Sequence, residues 1–275
     1  MCLIGLALDA SPRFPLVVAA NRDEFFDRPT AALDWWRATP DGPWLLGGRD
    51  LTAGGTWLGL SQGGRVGMLT NVRDPSRRRV DAPSRGGLVT AWLEGRDLAP
   101  ACHNPYNLVG GDLHSGRWWV RSDQDSAPVA ITPGLHVLSN AALNTPWPKA
   151  RRLNAALAHA LDAADGVPDL EQALWALLGD RSSAADDELP DTGIDRDLER
   201  MLSPVFIAAP DGRYGTRCST LIIGQRTGRD GSWHLRVVER THGRGGRPVE
   251  QRSVTLEGWP RHDGDDRPAV SVVAL

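Results

Sequence analysis

The amino-acid sequence predicts an α+β domain in which antiparallel sheets are layered against segregated helices, and three observations carry that prediction. Short β-branched and apolar runs recur towards both ends of the chain, tight turns rich in Gly, Asp, Ser and Pro join most neighbouring runs, and helical Ala/Leu spacing is confined to two regions. The order is strands, a helix, strands, two helices, strands. Turn-joined sequential strands pair antiparallel, which argues against a parallel α/β architecture. Neither an internal repeat nor a linker composition divides the 275 residues, so 1–275 reads as a single domain.

"CLIGLAL" (Cys2–Leu8) and "PLVVAANR" (Pro15–Arg22) flank "DASPRF", whose Asp, Ser and Pro are turn formers, and together predict a hairpin starting at residue 2. "GGTWLGLS" (Gly54–Ser61) and "RVGMLTNV" (Arg65–Val72) flank a Gly-containing connection and predict a second. "RDPSRRRVDAP" reads as a charged surface loop, after which Ser84 is placed to cap a helix carrying Leu88, Trp92 and Leu93. "YNLVGGDL", "RWWVRS" and "GLHVLSNA" predict three strands between residues 106 and 141. From Trp147 to Gly179 two helices are broken by "DGVPD", and the acidic stretch that follows predicts a long excursion with short helical turns. "SPVFIAA", "YGTRCSTLIIG", "WHLRVVER" and "RSVTLEG" complete the chain as strands.

With 31 basic and 34 acidic residues the net charge is −3, which gives no overall attraction to nucleic acid or an anionic membrane, so local patches must carry any anion binding. Lys149 is the only lysine, and lysine-centred chemistry is not expected. Cys2, Cys102 and Cys218 show no CxxC spacing, which argues against a disulfide framework or a zinc site and favours a reducing compartment. The seven histidines lack metal-ligand spacing, and "HDGDD" lacks the full calcium-loop pattern. The apolar run Leu3–Leu8 is too short for a signal peptide or a membrane span, and the chain reads as cytoplasmic.

Cys2 follows the initiator methionine directly. Removal of Met1 would place a thiol and an α-amine on one residue, and an amine of pKa ~7.7 to 8.0 is a built-in general base. Such a site needs a cation beside the thiol, an anchor for the ammonium and amide donors for an oxyanion. "ANRDE" at the end of the second predicted strand delivers Asn21, Arg22, Asp23 and Glu24 close to Cys2 if the two strands pair. The alternative is structural: a cysteine in an apolar strand is commonly a small buried hydrophobe. "SRGG" at a helix start offers backbone amides and Arg85 to a phosphate or carboxylate, and Trp57 in "GGTWLG" is a candidate pocket wall.

"MCLIGLALD", "VVAANRDEFFDRP" (Val17–Pro29), "GGTWLG", "TNVRDP", "SRGGLV", "YNLVGGDL", "GLHVLSNAALNTPWPK" (Gly134–Lys149) and "YGTRCSTLII" (Tyr214–Ile223) together closely resemble the transport and Golgi organisation protein 2 family, also called NRDE proteins. The resemblance implies the four-layer αββα sandwich of N-terminal nucleophile (Ntn) hydrolases. By similarity to acylases and bile salt hydrolases of that superfamily, Cys2 would be the nucleophile, Arg22 its cation and Asp23 the ammonium anchor. Asn71 and Asn140 would be oxyanion or substrate contacts, and Arg217 the late arginine. In those hydrolases residues intervene between Arg and Asp. Here the two are adjacent and leave a strand on opposite faces, so Glu24, on the Arg22 face, is a substitute for Asp23. The resemblance implies hydrolysis of an amide or thioester, acyl-coenzyme A-like, without a cofactor. The alternative it implies is a non-catalytic binding and trafficking protein whose ligand is acyl-coenzyme A or haem.

Overall fold

The computed structural model describes residues 2–98, 102–227, 231–261 and 266–275, so Met1 and most of "HDGDD" lie outside the described residues. Its elements are β1 (Cys2–Leu8), β2 (Leu16–Phe25), β3 (Thr30–Trp36), β4 (Leu45–Asp50), β5 (Leu58–Ser61), β6 (Arg65–Asn71), α1 (Gly86–Leu93), β7 (Tyr106–Asp112), β8 (Arg117–Ser122), β9 (Val129–Ala130) and β10 (Gly134–Leu138). They continue as α2 (Pro148–Ala163), α3 (Val167–Leu178), α4 (Arg196–Met201), β11 (Tyr214–Thr227), β12 (Ser232–His242), β13 (Pro248–Trp259) and β14 (Ser271–Ala274). They build two seven-stranded sheets, ordered β10-β1-β2-β11-β12-β13-β14 and β3-β4-β5-β6-β7-β8-β9. The strand pairs are antiparallel throughout.

Three apolar clusters define four layers. Ile4, Leu6, Val18, Ile222 and Val237 of the first sheet meet Leu46, Leu60, Met68 and Val109 of the second in the central core. The opposite face of the first sheet, with Leu3, Val17, Ala19 and Leu221, packs on Leu153, Leu157, Leu170 and Leu174 of α2 and α3. The outer face of the second sheet buries Leu88, Val89 and Leu93 of α1. The fold is therefore an αββα sandwich. β1 and β2 are interior strands of the first sheet and carry continuous apolar runs because both of their faces are covered.

Three local expectations are corrected. β3 and β4 carry no strand assignment from the sequence; a Cβ on Gly48 of β4 would fall 2.3 Å from the Trp57 ring, so the glycine marks close packing inside a sheet. Residues 203–209 form no strand beyond an isolated bridge between Ala208 and Gly215, since their apolar side chains are buried at the margin of the sheet. The cap of α1 falls on Arg85, and Ser84 Oγ accepts only the Gly86 N–H, at 3.3 Å.

Candidate active site

The β1–β2 hairpin pairs Cys2 with Arg22, and on the far side of β2 Arg22 pairs with Cys218 of β11. Cys2 is half-buried at the head of β1 and packs on the central core, so its side chain lies between the sheets. It lines a cleft of about 170 Å³ with Arg22, Asp23, Glu24, Arg28, Asp50, Trp57, Asn71 and Arg85. Glu24, Arg28, Asn71 and Arg85 also line an outer compartment of about 480 Å³, to which Arg73, Arg78 and Tyr214 contribute. The protein is acidic overall, yet this compartment is bordered by Arg28, Arg73, Arg78 and Arg85 against Glu24 and Asp74.

Arg22 is 5% exposed. Its guanidinium stacks 4.3 Å from the Trp57 ring centroid, donates to Thr30 Oγ1 at 3.3 Å, and faces Asp50 at 3.5 Å and Glu24 at 3.9 Å. Arg28 donates to Asp50 at 2.6 Å. Burial pushes the Asp50 carboxyl up, but the Arg28 hydrogen bond, the Ala53 amide and the charges of Arg28 and Arg22 bring it below the ordinary value. Burial raises the Cys2 thiol above its ordinary value, and Asp23 and Glu24 add to that rise while Arg22 opposes it.

Asp23 leaves β2 on the opposite face and is 1% exposed. An irregularity between Thr216 and Cys218 of β11 brings Thr216 opposite Asp23, and Thr216 Oγ1 donates to Asp23 Oδ1 at 2.7 Å. Burial raises the Asp23 carboxyl, against the pull of Lys149, Thr216 and Arg22. The β1–β2 register puts Cys2 opposite Arg22, so the next position along β2 is Asp23, and an α-amine on Cys2 would be directed towards it. Both members of the adjacent pair therefore border the cleft, although they leave the strand on opposite faces.

Asn140 is 1% exposed; its Nδ2 donates to the Asn71 carbonyl at 2.9 Å and to Asn71 Oδ1 at 3.2 Å. Asn71 lines both compartments, and Asn140 stands behind it. Arg85 donates to the Pro105 carbonyl at 3.0 Å while bordering both spaces.

Besides Asn140, which reaches the cleft only through Asn71, two sequence candidates are not brought to it. Asn21 faces the helical layer, where its Nδ2 donates to the Leu178 and Val205 carbonyls, both at 2.9 Å, and its Oδ1 accepts from Ser219 at 2.6 Å. Arg217 is the extra residue of the β11 irregularity. Its Nη1 donates to the carbonyls of Phe25, Phe26 and Arg28, and the guanidinium lies over the Phe26 ring. Both thus act as tethers of the backbone around the site.

The sequence reading missed Arg28, Asp50 and Thr216. Arg28 stands in the same "NRDEFFDRP" stretch as Arg22, which was the available signal; Asp50 and Thr216 come from elements whose register a sequence does not reveal. Among the described residues no group of His, Cys, Asp and Glu is arranged to hold a metal ion, and no helix is long and apolar enough to cross a membrane.

The chain is thus an αββα sandwich with a cysteine at the head of an interior strand of its first sheet. Two solved structures are similar in fold: the N-acylethanolamine-hydrolyzing acid amidase ortholog of Caenorhabditis elegans (TM-score 0.41, 12% identity, covering 81% of this chain and 92% of that one), and the C2A mutant of the conjugated bile acid hydrolase from Clostridium perfringens (TM-score 0.41, 11% identity, 98% and 96%). The Transport and Golgi organisation 2 signature spans residues 1–243, and the chain belongs to that family. It is 30% identical over 267 residues to the mouse Transport and Golgi organization 2 homolog and 31% over 271 residues to the human homolog, in each case covering 88% of this chain and 93% of the relative. It is also 36% identical over 106 residues to the Drosophila melanogaster protein, covering 35% of this chain and 36% of that one.

Proposed function

We propose that this protein is an N-terminal-cysteine hydrolase that cleaves an amide or thioester bond, with an acyl-coenzyme A-like thioester as the first substrate to test. The observation that carries the reading is Cys2 in a cleft opposite Arg22, opening into a compartment bordered by four arginines. The arginines suit a ligand with phosphate or carboxylate groups, and the inner cleft suits its reacting carbonyl.

In this reading Met1 is removed and the α-amine of Cys2 takes the thiol proton. The thiolate attacks the carbonyl carbon, and the Asn71 amide NH2 donates to the oxyanion. Asn140 holds the Asn71 oxygen, so the Asn71 amide group turns its other end to the cleft. Collapse expels an amine or thiol that takes the proton from the α-ammonium, and water then hydrolyses the enzyme thioester. Asp23 anchors the ammonium. No cofactor enters any step. A cytoplasmic setting suits the chemistry, because Cys2, Cys102 and Cys218 are all free thiols.

One observation favours a second reading, in which the same cleft retains acyl-coenzyme A or haem for transfer without turnover. Burial raises the Cys2 thiol above its ordinary value, with Asp23 and Glu24 adding to the rise and Arg22 opposing it, which disfavours the nucleophilic thiolate. Intact mass establishes whether Met1 is removed. Equilibrium binding and single-turnover acyl release from a long-chain acyl-coenzyme A, in wild type and Cys2→Ala, then separate the readings. Hydrolysis predicts acyl release by wild type, none by Cys2→Ala, and binding by both; equal binding with release by neither leaves the carrier.

A further inference from the structure

A second cationic cavity lies across the loop that carries Arg77, Arg78 and Arg79. Arg78 borders the outer compartment beside the Cys2 cleft, whereas Arg77 and Arg79 border a separate cavity of about 480 Å³, and Pro105 is a wall of both. A two-way clasp fixes the partition between them: the Arg79 N–H donates to Asn104 Oδ1 at 2.7 Å, and Asn104 Nδ2 donates to the Arg79 carbonyl at 2.9 Å. The cavity lies on the outer face of the second sheet, where Tyr106 of β7, Leu88 of α1 and Leu98 belong to one apolar cluster. β8 brings Arg121 to that face, because Arg121 pairs with Leu108 of the same cluster.

The charges of this cavity do not balance. Among the described lining residues Asp123 is the carboxylate, and Arg77 is bonded both to it and to Asp74. Arg79 and Arg121 make no side-chain hydrogen bond or ion pair among the described residues, and Arg121 Nε is buried without a hydrogen-bond partner. A buried guanidinium donor without an acceptor is costly, and a phosphate has the acceptor oxygens that an arginine fork fits. We infer that this cavity binds a phosphorylated nucleotide, with the phosphate on Arg79 and Arg121 and the ring against the Leu88, Leu98 and Tyr106 floor. Its volume suits a ligand of that size, and the apolar floor favours an anion with a ring over a bare one. The cavity is outside the Cys2 cleft, so binding there does not require turnover. Where the substrate is a coenzyme A-like thioester, the cavity takes the phosphorylated ring end of its carrier, and for that connection alone the inference rests on the proposed function.

Cys102 is exposed and lines the cavity, so an occupant shields it. Its alkylation by iodoacetamide, read peptide by peptide by mass spectrometry, is measured with adenosine diphosphate, adenosine, inorganic phosphate or octanoate present. Adenosine diphosphate should slow the reaction several-fold, and the other three should not at the same concentration. Arg79→Gln and Arg121→Gln should each raise the concentration for half-protection about tenfold, the loss of one charged hydrogen-bonding partner. Arg226→Gln removes the same charge beside Asp9 on the first sheet and should leave that concentration unchanged. Absence of protection by adenosine diphosphate overturns the inference, as does equal protection by phosphate or octanoate, or protection that both cavity variants retain in full. Arg79 is exposed, so its variant tests the site even where Arg121→Gln fails to fold. Acyl release by wild type without nucleotide protection keeps the hydrolase reading and overturns this site; protection without acyl release sustains the site and defeats that reading.

Discussion

Asn21→Leu should destabilise the protein without altering the reactivity of Cys2. The side chain makes three buried hydrogen bonds, two donated to the Leu178 and Val205 carbonyls and one accepted from Ser219, and these tie β2 to the end of α3 and to the segment after α4. Leucine keeps the γ-branched shape but leaves both carbonyls without that donor, while Ser219 keeps its contact with His242 Nε2 at 2.9 Å. An orphaned buried acceptor costs about 1–3 kcal/mol, so two predict a loss of about 3 kcal/mol. With an m-value of about 3 kcal/mol/M for a domain of this size, the urea midpoint should fall by about 1 M, followed by fluorescence of the eleven tryptophans. Because Asn21 faces the helical layer, the Cys2 alkylation rate in the native baseline should stay at the wild-type value. A wild-type midpoint combined with lost alkylation or ligand binding would refute this assignment and return Asn21 to the cleft.

Arg22→Met removes the cation that opposes the rise of the Cys2 thiol, so alkylation at pH 7.5 should slow by roughly tenfold for each pH unit of upward shift; an unchanged rate would show that Arg22 does not set the thiol. Arg217→Ala should cost about 1–2 kcal/mol in thermal or urea unfolding, through the three carbonyls it holds, and leave the Cys2 profile where it was; a selective loss of acyl release would instead give Arg217 a catalytic role. Burial lowers His242 to about 4, with Arg240 and Arg181 pushing the same way, and its Nδ1 is buried without a hydrogen-bond partner. A base depressed in the folded state takes up a proton on unfolding, so this contribution is complete above pH ~6.5 and is lost towards pH ~4, on the order of 3 kcal/mol. Urea midpoints across that window should fall more steeply in wild type than in His242→Leu, and parallel slopes would exclude His242 as the source.

Much of the architecture was legible because the strands that build it are bounded by turn formers and covered on both faces. The hairpins, the helical pair and the antiparallel class all follow from those local signals. β4 was hidden because its Gly47 and Gly48 admit the β5 backbone and the Trp57 ring, a tertiary requirement that leaves no local strand signal. In the site, Cys2, Arg22 and Asn71 were accessible from local sequence and family likeness. The roles of Asn21 and Arg217 were not, since each depends on which face of a strand a side chain takes and on one irregularity in β11. Lys149, the single lysine, is buried and holds the Leu202 carbonyl, a tertiary placement that its surrounding sequence does not reveal.

That irregularity bears on the charge beneath the site. In a regular ladder, the pairing of Cys218 with Arg22 would put Arg217 opposite Asp23, on the same face of the sheet. A guanidinium there would form a buried ion pair with the carboxylate and hold its charge to itself. The extra residue takes Arg217 out of the ladder, to clamp the turn at Phe25, Phe26 and Arg28, and moves Thr216 into the vacated position. Thr216 gives Asp23 a hydroxyl hydrogen bond and no charge. In the proposed mechanism the negative charge of Asp23 must be directed at an ammonium on the neighbouring strand, and the partner that β11 presents to it is the uncharged Thr216 hydroxyl. The same one-residue insertion also closes the turn that presents Arg28 to Asp50 and the outer compartment, so a single departure from β geometry serves both the inner cleft and its cationic rim.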